Sequence, residues 1–252
     1  MLKSGCGLLR LAARAIWFAV ELLLFFTAYI GLLLRRAGRL TQLDRSHWLQ
    51  WCARRTLRIF SVRVRFVGAP PRAGLLVSNH LSYLDILVLV SLTPAVFVSK
   101  SEVKNWPVFG WFARLAGTLF VDRARRSDVT RMNSEIARAL ANGNVVVVFP
   151  EGTSWNGAVV LPFKSSLLEP MVGAKYPLAA AGLRYTISGG VVAEDVCYWG
   201  DMTFFPHLLK LMTKRQVQAR VAFAVVSEPA AARKALALQL QAEVTRLVSA
   251  AD

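Results

Sequence analysis

Of the three histidines in the chain, only His80 directly follows a short apolar run of strand character. It belongs to the segment NHLSYLD, residues 79–85, in which an aspartate stands five positions further on. An imidazole whose one ring proton is held by a carboxylate is a general base. Asp85 would accept the Nδ1 proton and leave Nε2 free to take a proton from a substrate. On a regular helix positions i and i+5 stand about 140° apart, so the two side chains meet only across a turn. A helix with Ser82 as N-cap and Asp85 three residues later, a capping-box pair, provides one, with His80 folding back over the first turn. The same spacing also describes a plain cap beside a turn histidine. No Gly-x-Ser-x-Gly elbow, reactive cysteine setting or phosphate-binding glycine loop competes for the role of nucleophile. His47 lies in a basic amphipathic stretch and His207 in a Phe-Pro-rich one. A base without a protein nucleophile implies that the substrate brings the attacking group, such as a hydroxyl.

The elements around this segment alternate. Strands are predicted over 61–68, 73–79, 95–100, 117–122, 144–150 and 176–185, and near 219–226. Helical stretches are predicted over 101–116, with Pro107 and Gly110 as breaks, over 127–141, near 164–174 and over 229–249. Strands separated by helices give an α/β fold with a mixed, partly parallel sheet flanked by helices. In such sheets ligands lie beyond the carboxyl ends of the strands. Three polar clusters stand at those places: Asn79-His80, Asp122-Arg123, and Pro150-Glu151-Gly152-Thr153.

The chain of 252 residues is 55% hydrophobic with a mean hydropathy of +0.42, which points to a membrane-associated class. Its 31 lysines and arginines against 15 acids give a formal charge of +16. Such a field attracts polyanions, and with this hydropathy an anionic membrane surface fits better than nucleic acid. Three widely spaced cysteines, Cys6, Cys52 and Cys197, suggest neither a disulfide framework nor a zinc site. Residues 15–34, AIWFAVELLLFFTAYIGLLL, are long enough to cross a bilayer and carry one charge, Glu21. Arginines flank both ends, so the sequence is consistent with a span and with a helix that enters one leaflet. Residues 44–60 form a basic amphipathic helix, either interfacial or packed on its own domain. The resulting organisation is a membrane anchor over 1–60 and a catalytic domain over 61–252. The amphipathic, aromatic stretch 197–212 is expected to pack in that domain's core, with the border of the acyl site and the membrane surface as the alternatives.

NHLSYLD resembles the N-H-x4-D motif of the glycerophospholipid acyltransferases. GTLFVDR (117–123), FPEGTS (149–154) and YPLAAAGLRY (176–185) are similar to that family's second, third and fourth motifs, in the same order. Within the family the chain looks most like the bacterial 1-acylglycerol-3-phosphate acyltransferases. The resemblance implies that His80, oriented by Asp85, deprotonates the free sn-2 hydroxyl of the lysophospholipid acceptor. That hydroxyl attacks the thioester of acyl-CoA or acyl-carrier protein directly, and no cofactor or metal is implied beyond this co-substrate. It implies that Arg123 and Lys100 hold the acceptor phosphate, and that Asn79, Glu151, Gly152 and Thr153 contribute to the acceptor pocket. Because the donors are cytosolic, it implies a bacterial inner membrane location with the catalytic domain facing the cytoplasm. One position departs from the pattern: the third motif often continues Glu-Gly-Thr-Arg, and here Ser154 follows Thr153. Lyso-ornithine lipid acyltransferases share these motifs and use an acceptor without phosphate, so that acceptor stands as the alternative. A non-catalytic membrane lipid-binding protein is the third reading, and it leaves the intact His80 and Asp85 without a purpose.

Overall fold

The computed structural model describes residues 2–250 apart from 123 and 174. Seven strands make one sheet: β1 (Val62–Val67), β2 (Gly74–Ser78), β3 (Ala95–Lys100), β4 (Leu119–Val121), β5 (Val145–Val148), β6 (Leu178–Ile187) and β7 (Val217–Val225). Their order is β1-β7-β6-β2-β5-β3-β4. The run from β6 through β4 is parallel, β7 is antiparallel to β6, and β1 is parallel to β7. The central strands are apolar at every position, as in the fully buried VVVV of β5, because helices cover both faces. This is the mixed α/β sheet that the alternating pattern predicts.

One face is covered by α1 (Leu2–Arg35), α2 (Gln42–Ile59), α3 (Leu84–Leu92) and α7 (Phe204–Thr213), with α4 (Phe109–Leu115) at its edge. The other face is covered by α5 (Arg126–Ala141) and α8 (Arg233–Ala250). A short α6 (Val192–Asp195) precedes α7. Helix α8 comes down on Gly182 of β6, where an added Cβ would stand 2.4 Å from the Val248 nitrogen, so only glycine admits this approach.

Two stretches differ from expectation. The helix predicted near 164–174 is instead two 3₁₀ turns, Ser165–Leu167 and Glu169–Met171, because Pro170 has no N–H to continue a helical ladder. Helix α7 was legible only as an amphipathic aromatic stretch. Its Pro206 is tolerated because it falls in the first turn, where N–H groups have no intrahelical partner.

The N-terminal helices pack on the body. In α2, the Thr41 N-cap and Asp44 form a reciprocal capping box, Leu49, Cys52 and Leu57 are buried in the core of this face, and Trp48 is buried against Tyr29 of α1 and Phe112 of α4, its Nε1 donating to the Phe25 carbonyl. Helix α1 is longer than the apolar run within it, about 50 Å at helical rise. Its two faces are unlike. Leu9, Ile16, Leu23, Ile30 and Leu34 are exposed, whereas Arg14, Glu21, Phe25 and Tyr29 are buried. Glu21 accepts from Arg55 of α2 through Nε at 2.5 Å and Nη2 at 2.6 Å, and from Trp17 Nε1 at 3.1 Å. Arg14 donates to the carbonyls of Met212 and Lys214 at the end of α7 and to the Ser61 hydroxyl. The charges that would be costly in lipid are thus turned inward and paired.

Removing the Arg55 fork leaves a buried carboxylate half-satisfied. Arg55→Ala is expected to lower stability by about 1–2 kcal/mol, read by thermal unfolding in detergent, and to speed proteolysis in the 36–41 connection. Arg55→Lys, which keeps the charge but not the fork, should lose less. An unchanged melting temperature in Arg55→Ala would contradict this role for the pair.

Candidate active site

Strand β2 ends at Ser78, and the chain turns through residues 79–83 before α3 begins. The Asp85 carboxylate lies in the first turn of that helix with no exposed surface. Its Oδ2 accepts from the backbone N–H of Leu81 at 2.6 Å and of Ser82 at 2.9 Å, and lies 2.8 Å from His80 Nδ1. Its Oδ1 accepts from the Tyr185 hydroxyl of β6 at 2.7 Å. The N-cap is therefore Tyr83 rather than Ser82, whose hydroxyl makes no hydrogen bond. Half of the expected capping box is present, with Asp85 reaching back to the turn. One carboxylate ties the turn and also meets the imidazole.

The His80 ring stacks on Phe149 at 4.1 Å between centroids and 15° between planes. With Nδ1 engaged, the nitrogen left for a substrate is Nε2. Two neighbouring segments are pinned to the same turn: Trp155 N–H donates to the His80 carbonyl and Tyr198 N–H to that of Leu81. The Ser154 hydroxyl is bound to the Tyr198 carbonyl.

His80 opens into a cavity of about 290 Å³ at the carboxyl ends of β2, β5 and β3. Phe97, Tyr83, Ile86, Trp106 and Tyr198 give it apolar and aromatic walls, and Lys100, Gly152 and Thr153 line it as well. Glu151 lies buried beside this rim. Asn79 points elsewhere: its amide donates to the Leu183 carbonyl at 2.9 Å and accepts from the Leu183 N–H at 2.8 Å, locking β2 to β6. The structure gives Asn79 a positioning place rather than one in the cavity wall. Arg123 lies outside the described residues. Among the described residues no cluster of His, Cys, Asp and Glu has the arrangement of a metal site. Tyr185 and Phe149 were missed as site residues. Both stand inside quoted motifs, but only the register of β6 against β2 shows that Tyr185 reaches Asp85.

The model of the family described as Acyltransferase matches residues 61–184, from β1 to the middle of β6. A lyso-ornithine lipid O-acyltransferase from Brucella abortus is 38% identical over 77% of this chain and 79% of its own length. A 1-acyl-sn-glycerol-3-phosphate acyltransferase from Neisseria meningitidis is 31% identical over 74% of each chain. The chain belongs to the acyltransferase family. The likeness extends to fold: the crystal structure of the LPA acyltransferase PlsC from Thermotoga maritima superposes with a TM-score of 0.70 at 17% identity, over 99% of this chain and 98% of that one.

At this candidate site the two buried carboxyls, Asp85 and Glu151, differ. Among the described residues neither oxygen of Glu151 has a side-chain hydrogen-bond partner. Burial pushes its pKa up to about 8, against a smaller opposing pull from the nearby backbone N–H groups of His80 and Leu161, and the Asp85 charge adds to the rise. Burial thus favours the protonated form of Glu151, which spares Asp85 a second charge in the same space. Burial first, and then Asp85, hold the Tyr185 phenol well above its ordinary range, so Tyr185 remains a donor at any working pH.

Two outcomes follow. Tyr185→Phe removes one of four donors from Asp85 without opening a cavity. It is expected to lower kcat roughly tenfold with KM little changed, and an unchanged kcat would contradict its positioning role. For Glu151, the ordinary pKa is 4.5 and the folded one about 8. Its contribution to stability is complete below the lower value and is lost as pH rises through the upper one. Glu151→Gln should therefore flatten the fall in stability between about pH 5 and 8, by up to about 1.4 kcal/mol per pH unit, in urea titrations at fixed pH. Parallel slopes for variant and wild type would contradict the burial of a protonated Glu151.

Proposed function

We propose that the chain transfers an acyl group from a thioester donor to the free hydroxyl of a membrane lysolipid, with His80 as general base. The observation that carries this reading is the 2.8 Å contact between His80 Nδ1 and a buried Asp85, with the ring open to an apolar cavity on its other side. Nε2 takes the hydroxyl proton as the oxygen attacks the thioester carbonyl. The C–S bond then breaks, and the leaving thiolate recovers the proton from Nε2. Both substrates must stand at one base, so their alignment supplies much of the rate. The step needs no cofactor beyond the donor, acyl-CoA or acyl-carrier protein.

The acceptor that suits this site best is a lyso-ornithine lipid. Position 154 holds a serine whose hydroxyl is committed to the Tyr198 carbonyl, where the resembling family often has arginine for a phosphate. Relatives bearing the lyso-ornithine name, from Brucella abortus and Rhizobium meliloti, are 38% and 37% identical, against 31% for the 1-acylglycerol-3-phosphate enzyme from Neisseria meningitidis. The second reading, 1-acylglycerol-3-phosphate as acceptor, is favoured by Lys100 on the cavity wall and by Arg123 in the second motif. For localisation, the exposed apolar face of α1 together with its paired inner face supports a helix sunk in one leaflet of the inner membrane, with the catalytic body on the cytoplasmic side.

The test is acyl transfer by the purified protein in detergent, with both lysolipids offered in parallel and His80→Ala as the blank. Product from lyso-ornithine lipid in preference to lysophosphatidate supports the first acceptor, and the reverse preference supports the second. Activity retained by His80→Ala would overturn the mechanism.

A further inference from the structure

The mechanism leaves one buried histidine unused. His207 stands near the start of α7 and is only 5% exposed. Its Nδ1 lies 3.0 Å from the Tyr83 hydroxyl, which belongs to a residue 124 positions away in the chain. The two rings meet edge to face, 5.6 Å between centroids and 90° between planes. Among the described residues its Nε2 has no hydrogen-bond partner. Burial holds the His207 pKa below the ordinary histidine range, against smaller pulls from the Cys197 backbone and Asp195, and so favours the neutral ring. An apolar side chain would need no partner in such a place. The histidine brings one side-chain hydrogen bond, and that bond ends on Tyr83.

Tyr83 comes from the same turn as His80, yet it is not among the donors to Asp85. As N-cap of α3 it makes no side-chain bond to that helix either. Its ring instead lines the His80 cavity, next to Ile86 and Trp106. The ring is packed edge-on against Phe204 at 4.9 Å and Tyr198 at 5.7 Å, and Phe204 in turn meets Trp106 at 5.0 Å. This is one continuous aromatic wall, of the kind that takes an apolar ligand. Packing holds the face of the Tyr83 ring, and the bond to His207 fixes its tip.

We infer that His207 is a positioning residue that fixes the Tyr83 ring, and that the fixed ring sets which fatty chains the cavity beside His80 accepts. The inference rests on the acyl-transfer reading above and deepens it. A pocket separates chains differing by a few methylenes only when its wall does not yield to the longer one. A hydrogen bond between two buried groups on separate elements supplies that stiffness, since moving the Tyr83 ring strands the hydroxyl and Nδ1 together. Fatty chains of the same chemistry enter from two sources, the thioester donor and the lysolipid.

The test measures kcat/KM of the full chain in detergent for lauroyl-CoA and palmitoyl-CoA, and then for lysolipids of the same two chain lengths with the donor held fixed. The wild type should separate the two lengths in at least one arm, and that arm names the chain lying against Tyr83. Tyr83→Phe and His207→Leu should each bring the two values closer by roughly threefold to tenfold. His207→Asn, which keeps a polar group near the place of Nδ1, should restore most of the preference. The double variant Tyr83→Phe/His207→Leu should match Tyr83→Phe alone, because His207 acts through the hydroxyl. A merely structural role would lower both values alike, and that result, an unchanged preference in both arms, or an added loss in the double variant would overturn the inference. Calorimetric binding of the two acyl-CoA donors to His80→Ala and to His80→Ala/Tyr83→Phe makes the comparison without chemistry. A binding preference that Tyr83→Phe removes, with no transfer by the wild type, would retain the Tyr83 wall and remove the acyl-transfer reading. Transfer with a preference indifferent to both substitutions would do the opposite.

Discussion

The fold is organised around one buried carboxylate. Asp85 has no exposed surface and collects four donors: two backbone N–H groups from the turn before α3, the His80 ring and the Tyr185 hydroxyl. A carboxylate this deep is tolerable only when its lone pairs are satisfied, so each donor has to be delivered by a separate part of the chain. The turn delivers two because Asp85 lies in the first helical turn and reaches back. The hydroxyl arrives because β6 lies next to β2, and Asn79 fixes that neighbour by holding both polar backbone atoms of Leu183, two residues before Tyr185. The orientation of the His80 ring is thus a by-product of good turn chemistry: a cap that the helix needs anyway also holds the ring.

The surroundings protect that single charge. Glu151 is close enough to feel Asp85 and buried enough to keep its proton, so the site avoids two carboxylates in one low-dielectric space. Phe149 closes one side of the imidazole, and the backbone bonds from Trp155 and Tyr198 hold the flanking loops to the same turn. A parallel logic operates at the N-terminus. Glu21 and Arg14 are the two charges of α1 that are buried, and both are spent on the body of the protein, one on Arg55 and one on the end of α7. What remains on the outside of α1 is apolar, which gives the helix a lipid-facing side and a protein-facing side.

Much of the frame was legible in sequence because β-branched runs leave little choice. The strands predicted over 95–100 and 144–150 coincide with β3 and β5 or enclose them. The chemistry-bearing turns fall after strands, as the pattern requires. What remained hidden depends on direction or on neighbours. A polar residue after a strand reads alike whether it faces a cavity, as Gly152 and Thr153 do, or the adjacent strand, as Asn79 does. Tyr185 carries no signal of its own until the register of β6 is known. The basic amphipathic pattern of α2 fits a membrane surface as well as a packed helix, and only the positions of α1 and α4 show what covers Trp48. Local breakers misled at 164–174, where Pro170 leaves short turns in place of a helix.

The claim on which the account depends is that Asp85 acts through His80. A double-mutant cycle on kcat tests it most directly, using Asp85→Asn, which keeps the shape, His80→Ala, and both together. If the carboxylate acts by holding the ring, the double variant is no slower than His80→Ala alone, because residues that act as a unit are not additive. Losses that multiply in the double variant would show Asp85 contributing to catalysis by a route other than the histidine, and would contradict the account.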